Sequence, residues 1–180
     1  MIFTETTLQG AFLIDLEKKE DERGFFARYF CQSEFGKMGL ETNWVQINNS
    51  LSIEKGTLRG LHFQLPPFSE VKLIRCIRGA ICDVIVDVRK NSPTYGKSFS
   101  VELTEGNRKM LYIPKGFAHG FITLENDAEI LYHVSEFYNS KFECTLRWDD
   151  EFHNVKWPIS PICISEKDRN AKLWDHENSI

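Results

Sequence analysis

Apolar and polar residues alternate in short stretches along most of the chain, and turn-forming residues interrupt the stretches about every ten positions. This two-residue period predicts strands rather than helices. Residues 1–16 alternate loosely and predict an edge strand. Asp21-Glu22-Arg23-Gly24 is a turn that leads into Phe25-Phe26-Ala27-Arg28-Tyr29-Phe30, a half-buried strand. Trp44 to Leu51 reads as another strand. The clearest hairpin runs from Val71 to Arg89 and turns at Arg78-Gly79-Ala80, with Cys82, Val84, Val86 and Val88 on one face of its second arm and Asp83 and Asp87 on the other. Further strands are predicted at 99–103, 109–113, 120–124 and 128–134, with turns at Gly106-Asn107 and Asn126-Asp127. Helical signal is confined to Gln32–Met38, with Ser33 as its cap and Gly39 as its stop. The last 30 residues, with Pro158 and Pro161, read as loop. So many short antiparallel strands predict an all-β sandwich or barrel, and a jelly roll with short flanking helices suits the count.

Composition narrows the partners. A chain of 180 residues reads as one domain, 1–180, large enough to bury a core without disulfide or metal staples. Net charge is -4 and the basic residues are scattered, which argues against nucleic acid or an anionic membrane as the main partner. The five cysteines form no CxxC pair, and Cys76 and Cys82 lie in apolar strand pattern as small buried hydrophobes. No charged-then-apolar leader and no apolar run of roughly 18 residues is present, so the cytoplasm is the expected compartment.

Two histidine segments carry the chemistry: Arg59-Gly60-Leu61-His62-Phe63 and Pro114-Lys115-Gly116-Phe117-Ala118-His119-Gly120. His62 falls in line with Leu58, Gly60 and Gln64, and the glycine implies close approach by another backbone or a ligand. Lys72 alternates with Ile74 and Cys76; a lysine on an apolar face needs a counter-charge or a wet cavity, whereas if Val71 and Leu73 face inward it is simply solvated. Tyr132 shares a face with Ala128, Ile130 and Val134, where a core tyrosine satisfied by backbone is the commoner case. His133 is expected to face outward without a role, and His153 and His176 to be solvated. Glu166-Lys167-Asp168-Arg169 reads, taken alone, as a surface charge run.

His119 closes a Pro-x-Gly-x-x-His run that resembles the second motif of the cupins. The first cupin motif needs His-x-His, but His62 is followed by Phe63-Gln64, so a three- or four-ligand metal set is missing. A metal-free barrel is expected.

Between Asp21 and Arg169 the chain closely resembles the dTDP-4-dehydrorhamnose 3,5-epimerase family. The matching segments include Asp21-Glu22-Arg23-Gly24-Phe25-Phe26, Gln46-Ile47-Asn48, Leu58 to Gln64, Val84 to Arg89, Ser92-Pro93-Thr94-Tyr95-Gly96, Ile113 to Phe121, Leu131-Tyr132, Arg147-Trp148-Asp149-Asp150, Trp157-Pro158 and Ser165 to Arg169. The resemblance implies a homodimer of cofactor-independent cupin jelly rolls acting on a nucleotide-diphosphate 4-keto-6-deoxysugar. By matching position it implies His62 as general base, Tyr132 as general acid, Asp168 as the partner of His62 and Lys72 beside the keto oxygen. Arg59 and His119 would line the pocket. Arg23, Gln46, Asn48, Glu143 and Lys167 match nucleotide- and substrate-binding positions.

That chemistry is coherent. A C4 ketone acidifies the protons on C3 and C5, and inversion needs a base on one face of the ring and an acid on the other. One position departs from the family: Arg28 stands where a glutamate is usual, exchanging an acceptor for a cation. A CDP- or other nucleotide-linked sugar, and inversion at only one of C3 and C5, are therefore the alternatives. A binding-only cupin would need no base set opposite an acid.

Overall fold

The computed structural model describes residues 1–174. The chain runs through β1 (Ile2–Glu5), β2 (Phe12–Asp15), β3 (Lys19–Asp21), β4 (Gly24–Phe26), α1 (Gln32–Lys37), β5 (Gln46–Ser52), β6 (Thr57–Gln64) and β7 (Lys72–Arg78). It continues through β8 (Ala80–Asp87), β9 (Ser98–Thr104), β10 (Met110–Ile113), β11 (Phe117–Thr123), β12 (Ala128–Val134), β13 (Glu143–Thr145), β14 (Cys163–Ile164) and α2 (Glu166–Arg169). One sheet is ordered β1-β2-β10-β7-β12-β5 and the other β13-β6-β11-β8-β9, with β14 added in parallel to β6. The two sheets face each other as a jelly roll, as the strand spacing predicts.

Three apolar layers explain the burial. Between the sheets lie Ile74, Cys76, Ile81, Ile85, Leu103, Leu111, Phe121 and Ile130, with Tyr132 packed against them. The outer face of the second sheet (Leu61, Phe63, Val84, Val86, Ala118) is covered by Trp148, Trp157 and Trp174 from the C-terminal segment. The outer face of the first sheet (Ile14, Leu73, Met110) is covered by Phe3, Tyr29, Phe30, Phe35 and Trp44. Every residue of β8 is buried because both its faces are covered.

Several local expectations change. Residues 71–89 do not form a hairpin: β7 and β8 belong to different sheets, and Gly79, at φ 69°, turns the chain from one to the other. Alternation reads faces along a strand but not its pairing partner, and a sheet-to-sheet corner has the same local signature as a hairpin. The strand after Gly24 stops at Phe26, pairs only with β3, and leaves Phe25 and Phe26 exposed. The cap of α1 is Cys31, without a side-chain bond, rather than Ser33. The C-terminal segment is not all loop, since it supplies β14 and the single turn α2.

His153, expected to be solvated, is buried between Phe152 and Trp174, because the segment that carries it lies against the second sheet. His133 does point away from the inter-sheet core, but it is buried beneath the N-terminal layer, with Nδ1 3.4 Å from the Tyr29 hydroxyl. His176 lies outside the described residues.

Candidate active site

A cleft of about 480 Å³ opens between the sheets, lined by Arg59, His62, Lys72, His119, Tyr132 and Asp168 among others. A second compartment of about 310 Å³ shares His62, Lys72 and Tyr132 with it and adds Gln46, Asn48, Glu70 and Glu143. Both volumes suit small-molecule ligands. Lys72 on β7, Tyr132 on β12 and Gln46 and Asn48 on β5 come from one sheet; Arg59 and His62 on β6, His119 on β11 and Glu143 on β13 come from the other.

The glycine at 60 makes this possible. Register between β6 and β11 slips by one residue, pairing His119 with His62 but Phe121 with Arg59. The extra residue is a bulge on β6, so Arg59 and His62 both reach the cleft while Leu58 and Leu61 pack on the outer layer. Simple alternation, which puts Leu58 and His62 on one face, fails at this point. Gly60 has φ 121°, and a Cβ there would sit 2.6 Å from Gly120 Cα. The close approach read from the sequence is therefore to backbone, that of β11.

Asp168 reaches the cleft because β14 pairs with β6 and α2 follows at once, its first turn capped by Ser165 Oγ. Its Oδ1 lies 2.6 Å from His62 Nε2, and its Oδ2 accepts the Gly60 amide at 3.3 Å. Burial pushes the Asp168 carboxyl up, but the hydrogen bond and charge of His62 and the bonds from Gly60 and Ser165 outweigh it and hold the group below its usual range. A carboxylate can only accept, so Nε2 carries the proton and Nδ1 of neutral His62 carries the lone pair. The run that reads alone as surface charge thus holds the partner of His62, the pairing the resemblance implies.

Lys72 faces inward. Its Nζ lies 3.0 Å from Glu70 Oε1 and donates to the His62 carbonyl at 3.3 Å. Burial raises the Tyr132 phenol above its ordinary range; the charge of Glu70 adds to this and that of Arg59 opposes it. Arg59 is oriented by Ser52 Oγ and the Leu51 carbonyl, at 3.1 and 3.2 Å. Lys167 pairs with Glu143 at 2.6 Å, and Tyr138 donates to the same carboxylate at 2.9 Å. Desolvation raises the Glu143 carboxyl, but Lys167 and Tyr138 bring it net below its usual range.

Sequence reasoning passed over two groups. Asp83 accepts from His119 Nε2 at 2.5 Å and is fully buried; its signal was an aspartate that shares its strand face with Ile81 and Ile85. Glu70, in the loop before β7, left no periodic signal. Arg23 is the predicted residue that the fold leaves apart. It is exposed at the β3–β4 turn, paired with Asp21 at 2.6 Å, and lines neither compartment. Arg28 is likewise at the surface, 3.0 Å from Glu34. Among the described residues, no group of three or more His, Cys, Asp or Glu side chains converges as a metal site requires, and no helix is long and apolar enough to cross a membrane.

Fold and site together define an isomerase built on a cupin jelly roll, with an imidazole and a phenol on opposing walls of one cleft. The chain belongs to the dTDP-4-dehydrorhamnose 3,5-epimerase family, whose sequence model matches residues 5–176. It is 44% identical over 173 residues to the dTDP-4-dehydrorhamnose 3,5-epimerase of Methanothermobacter thermautotrophicus, covering 94% of this chain and 92% of that one. The crystal structure of the Elizabethkingia anophelis enzyme of that name superposes with a TM-score of 0.95 at 36% identity, covering 100% of this chain and 99% of that one. The Legionella pneumophila dTDP-6-deoxy-D-glucose-3,5-epimerase, solved in complex with dTDP-4-keto-L-rhamnose, gives 0.89 at 35% identity, covering 96% of this chain and 92% of that one.

Proposed function

We propose that this chain inverts C3 and C5 of dTDP-4-dehydro-6-deoxy-D-glucose to give dTDP-4-dehydro-L-rhamnose. The observation that carries the reading is that His62 and Tyr132 line the same cleft from facing sheets. A sugar ring held between them meets a base on one side and an acid on the other.

His62 Nδ1 takes the proton from C3 or C5, and the C–H electrons move onto the C4 oxygen as an enolate. Lys72 faces that oxygen and stabilises the developing charge, an effect of about 2.7–4 kcal/mol per preorganised donor. As the ketone re-forms, Tyr132 delivers its phenolic proton to the opposite face of the carbon. One C–H bond has broken and one has formed; His62 is left protonated and Tyr132 as phenolate, and exchange with solvent resets both. Asp168 fixes the His62 tautomer and stabilises the imidazolium. The substrate already carries the ketone, so the chemistry calls for no cofactor. Arg59 and Lys167 supply cations and His119 a hydrogen-bonding ring for the diphosphate and sugar, while Gln46, Asn48 and Glu143 supply polar contacts in the adjoining compartment.

The reading includes a homodimer. Arg23, Phe25 and Phe26 project on the exposed β3–β4 hairpin, away from both compartments, which supports a place for Arg23 at the cleft of a second copy of the chain.

Incubating the protein with dTDP-4-keto-6-deoxyglucose in heavy water tests the proposal. NMR should show deuterium at both C3 and C5, and His62→Ala should abolish it with the fold intact. A CDP-linked substrate assayed in parallel tests the consequence of Arg28. No exchange with any nucleotide-linked 4-keto sugar sinks the reading.

A further inference from the structure

Each of three nitrogen groups facing the cleft is tied to a carboxylate: His62 to Asp168, His119 to Asp83, and Lys72 to Glu70. The third pair differs in construction. Glu70 and Lys72 lie two residues apart at the mouth of β7, with side chains only 12% and 11% exposed. The second carboxylate oxygen of Glu70 accepts from Gln64 Nε2 at 3.1 Å. Gln64 is itself clamped, donating to the Phe68 and Phe137 carbonyls at 3.0 and 3.2 Å and accepting from the Asn139 amide at 2.6 Å. A flexible lysine is thus fixed through Glu70 to a rigid side chain on the facing sheet, one β6 residue beyond Phe63 and two beyond His62.

We infer that Glu70 is a positioning residue for the epimerisation, holding the Lys72 ammonium at the point where the enolate oxygen develops. The inference rests on the proposed function for what Lys72 does. Glu70 itself need not touch the reacting carbons. Two demands on the lysine require such a partner. A four-carbon stem in a cleft samples several rotamers unless its end is held. A nearly buried ammonium also requires a nearby negative charge to offset the loss of its hydration, and that ammonium is what stabilises an enolate oxygen. The His62 carbonyl, 3.3 Å from Nζ, supplies the second fixed contact, so base and ammonium share one scaffold.

Glu70→Gln keeps the shape and an acceptor for Gln64 but removes the ion pair. Misplacement of a catalytic group by about 1 Å costs on the order of a hundred-fold, so kcat should fall about 10- to 100-fold with KM changed less than about two-fold. In a Lys72→Met background the same exchange should lower the rate at most about three-fold, because the group being positioned is gone. An equal loss in both backgrounds, or an unchanged kcat, overturns the inference. Glu70→Asp, which keeps the charge on a shorter stem, should recover part of the kcat lost in Glu70→Gln; no recovery counts against it. A readout independent of turnover is the rate of reductive methylation of Lys72, followed by mass spectrometry of the peptide. It should rise in Glu70→Gln, and an unchanged rate overturns the inference even if the wild-type chain proved inactive as an epimerase.

Discussion

Replacing Asp168 with asparagine should disable the base while leaving the barrel folded. Asp168 is buried, and its contact to His62 is a 2.6 Å charge-assisted bond. Asparagine has nearly the same shape and can still accept the Gly60 amide. Its NH2 group, turned to His62 Nε2, then requires a lone pair there and drives the imidazole proton to Nδ1, the atom that must take the substrate proton. A comparable exchange in a serine-protease triad, where the wrong tautomer results, costs about 10⁴ in kcat. If the tautomer survives, the lost charge still costs about 1.5–3 kcal/mol of imidazolium stabilisation, roughly 10- to 150-fold. The expected loss in kcat therefore runs from about 10-fold, if only the charge matters, to about 10⁴-fold, if the tautomer flips, read as deuterium incorporation in heavy water. The same variant tests stability. Because the folded carboxyl lies below its usual range, Asp168 contributes stability above the unfolded value near pH 4, and that contribution fades as pH falls through the depressed folded value. Urea titrations should show the gap between wild type and variant at pH 7 closing in acid. A variant that keeps kcat within about ten-fold of wild type and unfolds cooperatively would refute the tautomer argument.

Tyr132→Phe removes the acid but leaves base and ammonium, so deuterium should still enter while net inversion slows about 10²–10⁴-fold; inversion at the wild-type rate would assign the acid elsewhere. Gly60→Ala forces a Cβ to 2.6 Å from Gly120 Cα and 2.8 Å from the His119 carbonyl. It should cost more than about 2 kcal/mol in thermal or urea unfolding, and a neutral result would show that β6 and β11 can separate. Asp87→Asn strips a fully buried carboxylate of its ion pair with Arg89 (2.8 Å) and alters its bonds to Ser92 and Thr94. The expected loss is about 3–5 kcal/mol at pH 7. Burial alone would raise this carboxyl, but those partners hold it below the usual range, so the loss should shrink as pH falls through that depressed value.

Alternation identified β5 and β7 to β12 because one or both faces of each are covered, and a covered face leaves a two-residue signature; the short β3, β13 and β14 left none, and β1 and β2 read as one strand. It placed Lys72 only as far as a choice between two faces; the inward packing of Ile74 and Cys76 decides it. What alternation could not carry is pairing across distance. The corner at Gly79 mimics a hairpin, and the bulge at Gly60 puts Arg59 and His62 in one cleft although they stand three positions apart, a spacing that alternation assigns to opposite faces. His153 looked solvated because its neighbours are polar, but its cover comes from Trp174, 21 residues further on. Asp168 was legible only through family resemblance, since nothing local to Ser165–Arg169 announces a partner more than a hundred residues upstream. Glu70 had no signal of either kind.

The three carboxylates behind the cleft also bear on why the site occupies the gap between sheets rather than a surface loop. Burying an ion costs several kcal/mol unless it is paired and its remaining lone pairs are satisfied. Asp168 meets that condition with an imidazole, a backbone amide and Ser165; Glu70 meets it with an ammonium and a clamped glutamine. Each pair is drawn from two elements: α2 and β6, β8 and β11, or the loop before β7 together with β7. None of the pairs bridges the two sheets: His62–Asp168 and His119–Asp83 belong to the second, and Glu70–Lys72 to the first. An outer-layer substitution that shifts one sheet against the other would therefore leave the pairs made but move them relative to one another and to Tyr132. Leu61 on β6 is the sharpest case, because its side chain packs outward beside Val84 and Val86 while its neighbour His62 faces the cleft. Leu61→Ala should cost about 2–5 kcal/mol, as large-to-small core changes do. It should also lower kcat although it removes no atom from the site. Urea unfolding and deuterium exchange measured on the same sample separate the two effects, and full stability loss with unchanged kcat would show that the cleft keeps its geometry without help from the layer beneath.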